Sequence, residues 1–452
     1  LLKNYKYHGL GAAYGAVTKQ ILNLGTGGEG KTMGLAPYGR FNKKIKINYE
    51  NKNIKTDFKN FMLRMPNSDV LNHIHPNYRA NTIRQKVKKA EKSNIMNRLY
   101  RDWAFMIQNI TEKTMRHLGN DIYKITKSKN ICLAGGVALN SVANEKLFSK
   151  SKFKDIFIFP ACADAGIPYG LALWGYYNYF KQSKKIKFDN AYTGINYKEI
   201  EIKKVIKLSG LKYKKINDKE IANLISNGKV IGFFNGKSEY GPRALGNRSI
   251  LADPRRKYMR DYINKHIKHR EFFRPFAPAI LEEKSNDYFK IKKSPFMLRV
   301  AKCKYKNKIP SAMHIDNTAR VQTVNKKQNP RFYSILKNFN LITGIPVVLN
   351  TSFNDAGEPL IETPTDAIIS ALRTNLDYLI LGNNSIQLNL IAKITKKKLL
   401  SKLVNIREKK IYRDSKLSIK LLTKSYSKLE KKKKILEGNK KAVKRVLKDP
   451  IL

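Results

Sequence analysis

NICLAGGVALNSVANEKL, residues 130–147, sets the terms on which the rest of the chain is read. A short apolar run (Ile131, Cys132, Leu133) ends in Gly135-Gly136, and a helical pattern with Asn140 in its first turn follows. The same order of strand, turn and helix recurs at Phe157–Gly166 (FIFPACADAG), Val230–Gly236 (VIGFFNG) and Pro346–Phe353 (PVVLNTSF). Continuous apolar runs mark buried strands, and ligands of α/β proteins gather where such strands end and helices begin. The pattern predicts an α/β or α+β class with its sites on the turns. Polar Lys181–Asn190 predicts a boundary dividing residues 1–187 from 188–390. From residue 391 to 452 Lys dominates, and Leu399, Leu403 and Ile406 at helical spacing predict a helical or partly disordered tail.

The chain has 452 residues, 42% of them hydrophobic, with 90 Lys+Arg against 34 Asp+Glu, a net charge of +56. So much apolar residue in so long a chain builds two or three cored domains and excludes a disordered polar polymer. The tail from 391 to 452 carries +17 of the charge. Most of the rest is a Lys-rich solvated surface. Arg is sparser, 21 residues, yet seven of them (Arg243, Arg248, Arg255, Arg256, Arg260, Arg270, Arg274) fall within 32 positions. Where Lys is the default cation, clustered Arg points to bidentate recognition of phosphate or carboxylate. Cys132, Cys162 and Cys303 make neither a disulfide framework nor a CxxC metal motif, so a reducing compartment is expected. No run reaches the 18 apolar residues of a spanning helix and no signal pattern opens the chain, so a cytoplasmic location is expected.

Four clusters carry the chemistry. Gly25–Arg40 (GTGGEGKTMGLAPYGR) is a glycine-rich loop in which Lys31 can meet a phosphate, although it lacks P-loop spacing and a plain surface loop has the same composition. At Gly135, Gly136 and Asn140, free backbone N–H groups and a side-chain amide suit a nucleotide, or close a tight turn that holds no ligand. Asp164, between an apolar strand and a helix, either caps that helix or holds a cation. The strongest cluster is NGKSEYGPRALGNRSILADPR (Asn235–Arg255) with HREFFRPFAPAIL (His269–Leu281). There Lys237, Arg243, Arg248, Arg270 and Arg274 alternate with Gly, Pro and Phe, which fix and bury a loop as a pocket for a small multiply charged anion. HIDNTARVQTV, with His314, Asp316, Arg320 and Gln322, and LNTSFNDAGEPLIETP, with Asn350 and Ser352, complete that pocket. His314 is either a base or an ordinary turn residue. No nucleophile elbow appears.

Taken in order over roughly residues 5 to 390, EGKTMGLAPYG, AGGVALNSVANEKL, DAGIPYGLAL, NGKSEYGPRALGNRSILADPR, FRPFAPAIL, HIDNTARVQTV and LNTSFNDAGEPLIETPTDAI resemble the NodU-type carbamoyltransferase family. The resemblance implies an actin-like (ribonuclease-H-like) transfer domain at 1–187 and a YrdC-like α/β domain at 188–390. The second converts carbamoyl phosphate and ATP, with Mg as an available companion ion, into carbamoyl adenylate. The first passes the carbamoyl group to a hydroxyl of a sugar, glycan or natural product and releases AMP. It also implies Lys237, Arg243 and Arg320 as carbamoyl-phosphate ligands with Arg248, Arg270 and Arg274 beside them. Gly135, Gly136 and Asn140, with Lys31 near, become the adenylate site, joined by Asn350 and Ser352. Asp164 becomes a ligand of the family's metal, iron or another divalent ion. The acceptor contacts are expected in loops such as Asn42–Lys88.

In that family an HxxxH motif and a further Asp supply the remaining metal ligands. None of the seven His here forms such a pair: His73 and His75 are two apart, His266 and His269 three. With no Met at position 1, the comparison implies an N-terminally truncated or split member whose transfer half has an incomplete metal site. Two rivals stand beside this reading. One is a threonylcarbamoyl-type transferase. The other is a catalytically incomplete protein that binds nucleic acid, or an acidic membrane surface, through the 391–452 tail. A homodimer is compatible with each.

Overall fold

The computed structural model describes residues 10–43, 45, 90–91 and 93–408. His73, His75, most of the 42–88 segment and residues 409–452 lie outside them. Leu1–Leu390 forms one compact unit and Ile391–Leu452 another, in which residues 393–408 are helical. Among the described residues no helix is long and apolar enough to cross a membrane.

In the first unit, helices α1 (Leu10–Ala16), α2 (Glu29–Leu35) and α3 (Arg98–Thr126) share a core of Tyr14, Val17, Ile21, Leu35, Trp103 and Ile107. α3 buries Trp103, Ile107, Ile110 and Thr114, the i, i+4, i+7 stripe that lets one helix face carry a core. Strands β1 (Asn130–Leu133) and β2 (Asp155–Ile158) pair in parallel and lead into α4 (Ser141–Ser149) and α5 (Ile167–Trp174). The strand, turn and helix order read from the sequence is present at both places. Both strands, however, are half exposed where continuous apolar runs predicted burial. Side chains alternate across the pair: Ile131 joins Met115, Tyr123 and Leu147 beneath, while Cys132 stays exposed.

The rest of the unit is built on a mixed sheet. Its strands are β3 (Lys214–Lys215), β4 (Ile231–Phe234), β5 (Arg248–Ala252), β6 (Ala277–Leu281), β9 (Gln322–Val324), β10 (Val347–Ser352), β11 (Tyr378–Leu381) and β12 (Asn384–Gln387). β7 (Val300–Lys302) and β8 (Thr318–Arg320) form a separate antiparallel pair. The eight-stranded order is β3-β12-β11-β4-β5-β10-β6-β9. β11 with β4 and β6 with β9 run parallel, and the other neighbours antiparallel. The apolar runs VIGFF and PVVL sit in the middle of this sheet, where strands covered on both faces need no polar alternation. α6 (Asp218–Ser226), capped reciprocally by Asn217 and Glu220, packs with α7 (Pro330–Thr343) over Phe233, Leu251, Ile280, Phe332 and Val347.

Gly232 in β4 shows how tightly this core is filled. A Cβ there would lie 2.7 Å from Phe353 Cζ and 3.0 Å from Leu376 Cδ1. Gly232→Ala is expected to cost about 2 kcal/mol by overpacking, read as a lower urea midpoint at unchanged slope. An unchanged midpoint would mean that Phe353 can step aside.

Candidate active site

The site begins with a loop that must turn sharply after β4. Asn235 to Asn247 wraps around the Glu239 carboxylate, which is 7% exposed. Glu239 Oε1 accepts backbone N–H bonds from Leu245 (2.7 Å), Asn247 (2.7 Å) and Arg248 (3.2 Å). One carboxylate thus satisfies three donors that would otherwise be buried and unpaired. Burial still pushes the Glu239 carboxyl above its ordinary value, against the N–H bonds and Arg248 that favour its charge. The turn held in this way carries Arg243 inward.

A second segment, between α8 (Met259–His266) and β6, brings Arg270 and Arg274. Buried Asn264 organises it: its Nδ2 donates to Phe272 O (3.3 Å) and Arg274 O (3.0 Å), and its Oδ1 accepts from Arg270 Nε at 2.7 Å. Arg270 stacks over Phe276, 4.7 Å from the ring centre. Arg320 ends β8, and β10 delivers Asn350, in register with Leu251 on β5 and Ala277 on β6.

These pieces meet at a cavity of about 640 Å³ whose lining includes Arg243, Arg270, Arg274, Arg320, Asn350 and Ser352. The amino-terminal helices also contribute to the lining through Gly30, Met33, Phe105, Gln108 and Glu112. The four guanidinium groups disfavour one another's charge. Burial, then Arg274, pushes Arg243 down to about 10. Burial, then Arg243, Arg274 and Arg270, holds Arg320 well below its usual range, and Arg270 is lowered by burial and Arg274. The carboxylate set among them, Glu271, stands 3.1 Å from Lys31 and 3.7 Å from Arg274. Although burial raises it, its own N–H, Lys31 and Arg274 hold Glu271 below the ordinary carboxyl value. Four guanidinium groups thus meet in a cavity that is also lined by the carboxylates Glu112 and Asp316, an arrangement able to receive an anion.

The other residues singled out from the sequence lie elsewhere. Lys237 is exposed on the turn and offers its carbonyl to Asn247 Nδ2 at 2.7 Å. Arg248 is 0% exposed and does not line the cavity. It stacks 3.7 Å from the Phe234 ring centre and donates to Asn235 O (2.8 Å) and Gly236 O (3.1 Å), so it builds the turn. Lys31 binds Glu271 behind the arginines. Gly135 and Gly136 are exposed at the end of β1. Asn140 caps α4, accepting from Ala143 N at 3.0 Å, and is paired with Gln108, so it touches the cavity through that neighbour. Asp164 is exposed at the head of a short turn, and among the described residues no three His, Cys, Asp or Glu side chains stand together as a metal site. The donor set described here does not fit an iron centre.

Glu239, Asn264, Lys268 and Glu271 were not anticipated. Lys268, 3% exposed, donates to Ser352 O (3.0 Å), Asn354 O (2.5 Å) and Asn354 Oδ1 and so ties down the end of β10. Burial, then Arg270 and Arg274, lowers its amine well below the usual range. The available signal was a question of bookkeeping: loops rich in Gly and Pro leave backbone groups unpaired, and a nearby Glu, Asn or Lys has to meet them.

The sequence matches the family profile of the carbamoyltransferase N-terminus over residues 2–173 and that of the carbamoyltransferase C-terminus over residues 222–387. It is 34% identical over 389 residues to nodulation protein NolO of Bradyrhizobium diazoefficiens, covering 83% of this chain and 68% of that protein. The chain belongs to the carbamoyltransferase family. An uncharacterized Synechocystis protein is 36% identical over 418 residues, and nodulation protein U of Rhizobium fredii 31% over 249 residues. This carbamoyltransferase chain spans 66% and 40% of those two relatives. The arginine cavity draws its lining from the ranges matched by both family profiles.

Proposed function

We propose that the protein is an O-carbamoyltransferase that consumes carbamoyl phosphate and ATP. The observation that carries this reading is the convergence of Arg243, Arg270, Arg274 and Arg320 on one cavity. Guanidinium forks of that kind hold a phosphoryl group bidentately, and a bound dianion removes the repulsion they otherwise suffer. Membership of the family supplies the carbamoyl chemistry, and the two profile matches support an actin-like transfer half followed by a YrdC-like half.

The reaction balances in two stages. Carbamoyl phosphate, ATP and water give carbamoyl adenylate, phosphate and pyrophosphate. An acceptor hydroxyl then attacks the carbamoyl carbon, loses its proton and expels AMP. The arginines neutralise phosphate charge in the first stage and orient the carbamoyl group. In the second, the exposed Gly135-Gly136 turn at the end of β1 allows close approach of a nucleotide, while the Gly135 and Asn140 N–H groups are themselves held by Cys162 O (2.6 Å) and Val137 O (2.9 Å). No step is assigned to a metal, because the described side chains do not assemble a site for one.

The test is pyrophosphate release by the full 452-residue chain supplied with ATP. Release that depends on carbamoyl phosphate, with AMP appearing only when a hydroxyl acceptor is added, is expected. Release no greater than with ATP alone would remove the reading.

A further inference from the structure

Asn350 follows three buried apolar residues of β10, Val347–Leu349, and only 1% of it is exposed. Its amide has a fixed direction. Gln322 Nε2 donates to Leu245 O at 2.6 Å, and Gln322 Oε1 accepts from Asn350 Nδ2 at 2.8 Å. Asn350 Nδ2 also donates to Ala244 O at 3.3 Å. Backbone carbonyls only accept, so turning either amide over would set oxygen against oxygen at Leu245 or Ala244. Both orientations are therefore dictated by the chain itself. The consequence falls on Asn350 Oδ1, which is left at the end of the series with no hydrogen-bond partner, on a residue that lines the arginine cavity.

A buried carbonyl oxygen without a protein donor is costly, and a ligand that brings an N–H or O–H to it offsets that cost. The phosphate end of a ligand is already matched by four guanidinium groups and at neutral pH offers acceptors. A carbamoyl group offers an amine. We propose that Asn350 Oδ1 accepts a hydrogen bond from the carbamoyl amine and thereby selects carbamoyl phosphate over acyl phosphates of the same shape. The assignment rests on the anion reading given above and adds a specificity-determining residue to it. Acetyl phosphate is the discriminating analogue, because it puts a methyl group where the amine would be and leaves Oδ1 unpaired. Sites built to pair a polar ligand group reject analogues that lack it far more strongly than apolar pockets reject a methyl.

The experiment is calorimetric titration of the full chain with carbamoyl phosphate, acetyl phosphate and inorganic phosphate, for the wild type and Asn350→Leu. The wild type is expected to prefer carbamoyl over acetyl phosphate by at least about 10-fold. Asn350→Leu should bring that ratio to within about 2-fold while still binding inorganic phosphate. Equal wild-type affinities would overturn the assignment without reference to any variant. So would an Asn350→Leu protein that lost affinity for all three ligands by one common factor. A wild type that bound none of the three would overturn the anion reading itself.

Discussion

Arg320→Ala is expected to weaken carbamoyl phosphate binding by roughly 100-fold, about 3 kcal/mol, and to weaken inorganic phosphate nearly as much. Arg320 lines the cavity at the end of β8, and the groups that most perturb it are Arg243, Arg274 and Arg270, all of its own sign. In the free protein its charge is therefore a burden, and only an anion makes it useful. The two halves of that statement separate experimentally. Removing the guanidinium should weaken ligand affinity by that factor, yet the melting temperature without ligand should not fall, because a buried repulsion goes with the side chain. Arg320→Lys keeps the charge but loses the planar fork and should fall between, near 10-fold. Phosphate-induced thermal shifts of the three proteins at one fixed ionic strength check this. An Arg320→Ala affinity within twofold of the wild type would place the anion elsewhere.

Why Arg320 could be found in the sequence and Glu239 could not is a matter of charge and spacing. Seven Arg in 32 positions of a Lys-rich chain stand out against their background, and three of the cavity's four arginines come from that run. Arg320 lies outside that run and is legible through its own stretch, HIDNTARVQTV, where His, Asp, Arg and Gln stand close together. The same run also holds Arg248, which does not line the cavity. A guanidinium stacked on Phe234 and capping two carbonyls has the same local composition as one facing a ligand, and only the direction of the side chain separates them.

The fold was legible where burial is complete. VIGFF and PVVLNTS became β4 and β10 as their unbroken apolar runs require. The runs at 130–136 and 157–166 gave strands as well, but composition could not say that each would face solvent on one side. Lys268 and Asn264 were hidden for another reason. Each satisfies carbonyls or N–H groups far away in sequence, Lys268 at 84 and 86 residues' separation, and no local pattern records such a partner.

The second large effect is on stability, at Glu239. Glu239→Ala leaves the N–H groups of Leu245, Asn247 and Arg248 buried without an acceptor, an expected loss of about 3 kcal/mol at about 1 kcal/mol each. The loop cannot recover by shifting: Gly246 sits at φ +112°, and a Cβ there would come within 2.3 Å of Phe332 Cδ1, so its path is fixed from the other side. Because that loop also carries Arg243, phosphate affinity should fall together with stability. Glu239→Gln separates shape from charge, since it keeps an oxygen for the three donors and discards a buried anion. Burial raises the Glu239 carboxyl, so between its ordinary value near 4.5 and its higher value in the fold, the folded state holds a proton that the unfolded state has released. Wild-type stability should therefore decline across that interval as pH rises, and the Gln variant should lack this decline. Urea unfolding of the three proteins between pH 4.5 and 8 is expected to place Glu239→Gln at or above the wild type at neutral pH, and Glu239→Ala well below both. If the Gln variant fell as far as the Ala variant, the negative charge would be what holds the loop, and the three N–H bonds would not account for it.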